Sequence, residues 1–231
     1  MLEKVKNEVL EANKQLPNLN LVTLTWGNVS GIDREKELVV IKPSGVHYGD
    51  LKLTDLVTVD MDGNVVDGHL KPSSDTPTHL LLYKNFTNIG GVVHTHSSYA
   101  TSWAQAGRHL PAYGTTHADY FYGNVPCTRK MTSTEIEKNY EHETGNVIIE
   151  LFSKLSLNPV DIPSVLVNGH APFSWGNNAL KAVENALVLE EVSKLGYWTE
   201  QINPSSQEID EELLSKHFLR KHGNQAYYGQ S

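Results

Sequence analysis

Apolar and polar positions recur with two periods along this 231-residue chain. Near the start, Leu2, Val5, Val9, Ala12 and Leu16 fall on one helical face. Pro17 is expected to stop that helix, because it has no N–H to give and its ring crowds the preceding turn. "ELVVIKPSG" (37–45) reads as a strand entering a turn, and "DLVTVDMDGNVVDG" (55–68) as a hairpin around Asp62-Gly63. "SSDTPTHLLLYKNF" (73–86) predicts a capped helix with Pro77 in its first turn. "GGVVHTH" (90–96) is a strand, and "SSYATSWAQAG" (97–107) a short helix closed by Gly107. "ETGNVIIELFSKL" (143–155) reads as a helix and "SVLVNGHAPFSWG" (164–176) as a second apolar strand. Two helices follow, over 177–201 and 206–223, the last closed by Gly223.

Strands, a hairpin and short helices fill the N-terminal half, and the C-terminal third is mainly helical. That order predicts an α/β protein with a mixed sheet covered by helices, rather than a barrel or a bundle. No G-x-G-x-x-G is present, which argues against a dinucleotide fold. The length suits a single domain over 1–231, and no linker or repeat divides it.

Composition narrows the class. Hydrophobic residues make up 39% and charged residues 20%, as in ordinary globular proteins. The formal net charge of −8 argues against a nucleic-acid surface, but leaves room for a small anion in a local positive pocket. Cys127 is the single cysteine, so no intrachain disulfide can form. No apolar run reaches the ~20 residues of a membrane span, and the charged N-terminus lacks a signal-peptide core. The expectation is a cytoplasmic protein.

Eleven histidines stand in the chain, and most of them are expected to be incidental. His47, His69, His79, His109, His142 and His222 read as loop or helix-face residues. His94 and His96 differ, because residues two apart on a strand share a face with Cα atoms roughly 6.5–7 Å apart. His170 ends the second apolar run. Three imidazoles with a fourth position open is the plan of a catalytic zinc site, and Asp75 is placed to add a carboxylate ligand or a base. "TWGNVSG" (25–31), "IKPSGVHYG" (41–49) and "KPSSDT" (71–76) read as loops whose backbone N–H groups and hydroxyls suit phosphate, with Lys42 as the point charge. The same loops also read as ordinary turns. "GTTHADYFYGNVPCTRKM" (114–131) gathers Thr116, His117, Asp119, Tyr120 and Tyr122, for acid–base work or for packing. Tyr227 and Tyr228 sit on a tail with little apolar context.

Together "NLVTLTWGNVS", "VIKPSGV", "KPSSDTPTH", "GGVVHTHS", "GTTHADYFYG", "PCTRKMT", "ETGNVI", "LRKHG" and "AYYGQ" resemble the L-ribulose-5-phosphate 4-epimerase family, within the class II aldolase and epimerase superfamily. The resemblance runs from Met1 to Gln230. It implies a three-layer α/β/α fold around a mixed, mostly antiparallel sheet. It also implies a homotetramer with active sites at subunit interfaces. One divalent metal ion per subunit would be held by His94, His96 and His170 with Asp75 at or beside it: Zn²⁺ first, or Mn²⁺ or Co²⁺. The phosphate of a pentulose substrate would meet Asn28, Lys42, Ser44, Gly45, Ser73 and Ser74. Asp119 and Tyr228 would be the acid–base pair, Tyr228 reaching a site built mainly by the adjacent subunit.

The implied reaction interconverts L-ribulose 5-phosphate and D-xylulose 5-phosphate by breaking and remaking the C3–C4 bond. Two other readings fit parts of the pattern. An aldolase of the L-fuculose-phosphate type shares the metal and phosphate sites but releases its fragments; there a Glu follows the two serines, where this chain has Asp75. An adducin-head-like interaction domain would lack the catalytic residues that this chain retains.

Overall fold

The computed structural model describes residues 2–223, 226 and 227. Seven strands form one sheet: β1 (Gly27–Asp33), β2 (Leu38–Ile41), β3 (Val57–Asp60), β4 (Val65–Asp67), β5 (Gly91–Thr95), β6 (Ser164–Leu166) and β7 (Pro172–Gly176). Their spatial order is β4-β3-β2-β1-β5-β7-β6. Every neighbouring pair is antiparallel, and parallel pairing is confined to an isolated bridge between Cys127 and Leu166. The sheet was expected to be mixed and mostly antiparallel, and its mixed character reduces to that bridge.

Seven α-helices are present among the described residues: α1 (Leu2–Asn18), α2 (Thr76–Asn85), α3 (Ser98–Ala106), α4 (Thr115–Ala118), α5 (Ser133–Lys154), α6 (Ala179–Ile202) and α7 (Glu211–His222). They cover both faces of the sheet, and successive strand residues serve opposite cores. Val40 and Val93 pack with Val9, Ala12 and Leu16 of α1 and with Ala182, Val183 and Ala186 of α6. Their neighbours Val39 and Val92 pack with Leu82 of α2, Trp103 of α3 and Ile148 and Phe152 of α5. This alternation makes the three-layer α/β/α architecture.

Several predicted boundaries move. The first helix continues through Pro17 to Asn18, since in the last turn the proline's missing N–H costs a single bond. "TWGNVSG" is not a loop: from Gly27 it is the strand β1, paired with β2 and β5. The run 164–176 is a hairpin rather than one strand, and His170 lies in its turn. Asn168-Gly169 is the turn signal, with Gly169 at φ +72°. The helix α5 begins ten residues before the predicted start at Glu143. Thr132 and Glu135 form a capping box there, each side chain bonding the other's backbone N–H. The last helix starts only at Glu211, five residues after the expected Ser206.

Candidate metal and sugar-phosphate site

The register of three strands lays out one wall of the site. Asn28 of β1 lies opposite His94 of β5, and His94 lies opposite Phe173 of β7. Directly opposed residues on one face touch, and the His94 ring stacks on Phe173 with centroids 4.2 Å apart. His94 Nδ1 is 2.9 Å from the carbonyl oxygen of Pro172. That oxygen can only accept, so Nδ1 carries a proton and Nε2 is the nitrogen left to act as a ligand.

His94 Nε2 faces His96 Nε2 at 3.1 Å. His170 reaches the same point from the β6–β7 turn, and one nitrogen from each ring lies within 4.8 Å of the others. His170 Nδ1 is buried with no hydrogen-bond partner among the described residues. Converging lone pairs repel unless a proton or a cation lies between them, and three such nitrogens brought to one point fit a bound metal ion. Burial, followed by the neighbouring His94 and His96 rings, pushes the His170 pKa down to about 3. Burial and then His94 lower that of His96.

Asp75 occupies the N-cap position of α2, yet its side chain makes no cap bond. The carboxylate instead accepts from Asn28 Nδ2 at 2.6 Å. Burial raises its pKa, but His94, His79, the Asn28 bond and His170 outweigh that and hold it low. Asp75 lines the cavity beside the three imidazoles, outside their close cluster.

That cavity, of about 600 Å³, also gathers the residues expected to meet a phosphate: Lys42, Ser44, Gly45, Ser73 and Ser74 line it with Asn28. Two loops meet there through backbone bonds, from Ser44 N to Lys71 O and from Ser73 N to Lys42 O. Lys42 is buried, with its ammonium donating to Pro43 O at 3.2 Å and lying 5.0 Å from the centre of the Tyr48 ring. Burial lowers its pKa to about 8. A buried ammonium with so few partners is a strong attractor for phosphate. Gly27, at φ +131°, opens the strand that carries Asn28; a Cβ there would sit 2.8 Å from His94 O.

Asp119 does not line this cavity. It follows α4 and is bound by α7: His217 Nδ1 lies 3.0 Å from Oδ1, and Arg220 Nη2 donates to both oxygens at 3.1 and 3.2 Å. Tyr228 lies outside the described residues. Its neighbour Tyr227 folds back on α7, its N–H donating to Arg220 O.

Sequence reading missed four contributors. Trp26, Tyr140 and Glu141 also line the cavity; the last two follow a break in α5 at Asn139 (φ −156°, ψ 75°), which no residue type announced. His79, expected to be incidental, is fully buried, with Nδ1 2.7 Å from Ser30 Oγ. No local signal marked it, because α2 is buried on most sides and its sequence shows no single apolar face.

The family described as "Class II Aldolase and Adducin N-terminal domain" matches residues 7–197. The chain belongs to this family. It is 55% identical over 229 residues to "L-ribulose-5-phosphate 4-epimerase UlaF" of Salmonella paratyphi C (strain RKS4594), covering 99% of this chain and 100% of that one. The protein of that name from Salmonella choleraesuis (strain SC-B67) matches at the same identity and coverage. Among solved structures, an L-fuculose 1-phosphate aldolase superposes with TM-score 0.78 at 27% identity, over 93% of this chain and 94% of that one. An L-fuculose-1-phosphate aldolase of Thermus thermophilus shares the fold, with TM-score 0.69 and 20% identity over 89% and 100% of the two chains.

Proposed function

We propose that this protein is an L-ribulose-5-phosphate 4-epimerase. The observation that carries the reading is that one cavity joins a three-histidine set to a buried lysine and serine cradle. The chain also aligns end to end with epimerases at 55% identity, against 27% for an L-fuculose 1-phosphate aldolase of known structure. Asp75 after the two serines supports the same choice.

The substrate dictates the chemistry. The hydrogen on C4 of L-ribulose 5-phosphate is not acidic, because no carbonyl is adjacent, so direct deprotonation is a poor route to inversion. A base removes the C4 hydroxyl proton instead, and the C4–O bond becomes a carbonyl as C3–C4 breaks. The bond's electron pair passes to the C2 carbonyl, giving the enediolate of dihydroxyacetone and glycolaldehyde phosphate, both retained in the site. A divalent cation held by His94, His96 and His170, with Asp75 beside it, would supply Lewis acidity toward the C2 and C3 oxygens. Lys42, Ser44, Gly45, Ser73 and Ser74 hold the phosphate while the aldehyde turns its other face. The C3–C4 bond then re-forms and an acid returns the proton to the C4 oxygen, giving D-xylulose 5-phosphate.

Asp119 and Tyr228 are proposed as the acid–base pair. Asp119 is absent from its own chain's metal cavity and is tied to α7, which leads to Tyr228. Both residues then serve the metal cavity of a neighbouring subunit in a homotetramer. Zn²⁺ is the proposed ion, with Mn²⁺ or Co²⁺ able to replace it. Among the described residues no helix is long and apolar enough to cross a membrane, and a cytoplasmic role in pentose use, such as arabinose catabolism, is proposed. The test is to incubate purified, metal-loaded protein with L-ribulose 5-phosphate and couple D-xylulose 5-phosphate to a specific detecting enzyme. Product formation that stops on chelation and returns with added Zn²⁺ is expected; no product in any metal form would overturn the proposal.

A further inference from the structure

Cleaving and remaking one bond in the same site creates a demand that the metal and phosphate elements do not meet. Between the two steps the aldehyde carbon has lost its bond to C3, and the fragment has to turn without leaving. Phosphate contacts hold only its far end. Polar and apolar atoms share the cavity wall about equally, and besides the histidines only two aromatic side chains among the described residues line it, Trp26 and Tyr140.

Trp26 is 53% exposed while lining the cavity, so its indole stands at the mouth. Its ring is set edge-on to the ring of His96, with centroids 6.4 Å apart. The backbone is unusual on both sides of it. Leu24 adopts φ +54°, a left-handed conformation that a bulky residue takes only at a cost, and Gly27 adopts φ +131°. A turn bond from Trp26 N to Thr23 O closes the segment. A strained turn that holds a large apolar ring half-exposed at a cavity mouth needs a reason, because packing would bury it. Trp103 and Trp175 are buried in the core and Trp198 lies on α6, so Trp26 is the cavity's one tryptophan.

We infer that Trp26 is the specificity-determining cover that retains the aldehyde fragment between bond cleavage and re-closure, committing the site to epimerisation over release. The inference rests on the epimerase reading proposed above. Its apolar face limits the escape of the fragment and the entry of water, while its contact with His96 places it against the half of the site where the bond breaks.

Two measurements test it. The first is the number of glycolaldehyde phosphate molecules trapped by a hydrazine reagent per epimerisation. Trp26→Ala is expected to raise that ratio at least tenfold, and Trp26→Phe, which keeps an aromatic cover, to restore it most of the way. The second is independent of turnover: phosphoglycolate, a carboxylate mimic of the fragment, is added to Zn²⁺-loaded protein while tryptophan emission is recorded. Emission is expected to change in the wild type and to stay constant in Trp26→Phe. An unchanged release ratio in Trp26→Ala overturns the inference, as does an emission change that survives in Trp26→Phe. A Trp26→Ala protein that loses its oligomeric state on a sizing column also overturns it, assigning Trp26 to subunit contact. If the wild type makes no D-xylulose 5-phosphate, it is the epimerase reading that fails instead, and the emission test still decides whether Trp26 meets the fragment.

Discussion

Asp119 is bound to His217, with Nδ1 3.0 Å from the carboxylate, so the proposed acid–base residue is anchored on the last helix and not at its own chain's histidine cluster. Arg220 of the same helix completes the clamp. On the proposed shared site, the metal ligands would come from one chain and Asp119, with α7, from another. Asp119→Asn and His96→Asn oligomers are each expected to be inactive. Mixed under subunit-exchanging conditions, they should regain activity in about one site in four, as random pairing in a symmetric ring allows. Lack of rescue, with exchange verified by mass spectrometry, would place the whole site within one chain.

His96→Asn should remove most bound metal and most activity. The three converging imidazoles form a donor set that fits a cation. The fold should survive, because the three-layer core does not include His96. Metal content by plasma mass spectrometry and the far-ultraviolet circular dichroism spectrum check both halves. Stoichiometric metal in the variant would remove His96 from the ligand set.

Lys42→Met should separate stability from binding. Burial lowers the Lys42 pKa to about 8, so the folded chain favours the neutral amine. Its folded-state pKa lies below the unfolded value of 10.5, so stability declines as pH falls from about 10.5 toward 8, and below that the full cost of the buried charge is present. At pH 7 the buried ammonium is therefore a cost, and its removal should raise stability, by on the order of 1 kcal/mol or more. The same change should raise KM about 10- to 100-fold, the worth of a charge-assisted contact. In the wild type, phosphate affinity should weaken as pH rises through about 8. A variant with unchanged KM and undiminished inhibition by inorganic phosphate would remove Lys42 from the cradle.

His117 makes the opposite end of the pH range testable. It is buried, its Nε2–H donates to Gly123 O at 2.8 Å, and burial pushes its pKa down to about 4. Above its unfolded pKa of about 6.5 the ring is neutral in both states and its contribution to stability is complete. Acid protonates the unfolded chain first, so that contribution declines from about pH 6.5 toward 4, by on the order of 2–3 kcal/mol in all. Urea unfolding of wild type and His117→Gln across that range should show the shallower slope in the variant. Identical slopes would remove His117 as a source of acid lability.

Much of this was legible in the sequence where one residue type meets one physical demand. His94 and His96 announced themselves by strand periodicity, and Asp62-Gly63 by turn chemistry. The three-layer fold came from the resemblance, and alternating valines such as Val92 and Val93 account for it. What was not legible depends on distant packing. Asn28 reads as a loop residue because glycine and serine flank it, and only pairing with β5 makes it a strand residue opposite His94. His79 reads as a helix-face histidine because nothing local reveals that Ser30, far earlier in the chain, waits to bond it. Tyr140 and Glu141 reach the cavity through a helix break that their own residue types do not encode.

The most direct test of the account follows the carbon that has to be inverted. L-ribulose 5-phosphate labelled with ¹³C at C4 is mixed with metal-loaded protein and observed by NMR. The C4 signal of the substrate is expected to be replaced by the C4 signal of D-xylulose 5-phosphate until the two reach equilibrium, with no accumulating aldehyde. Label that collects at the carbonyl carbon of glycolaldehyde phosphate, or that never leaves the substrate, would contradict it.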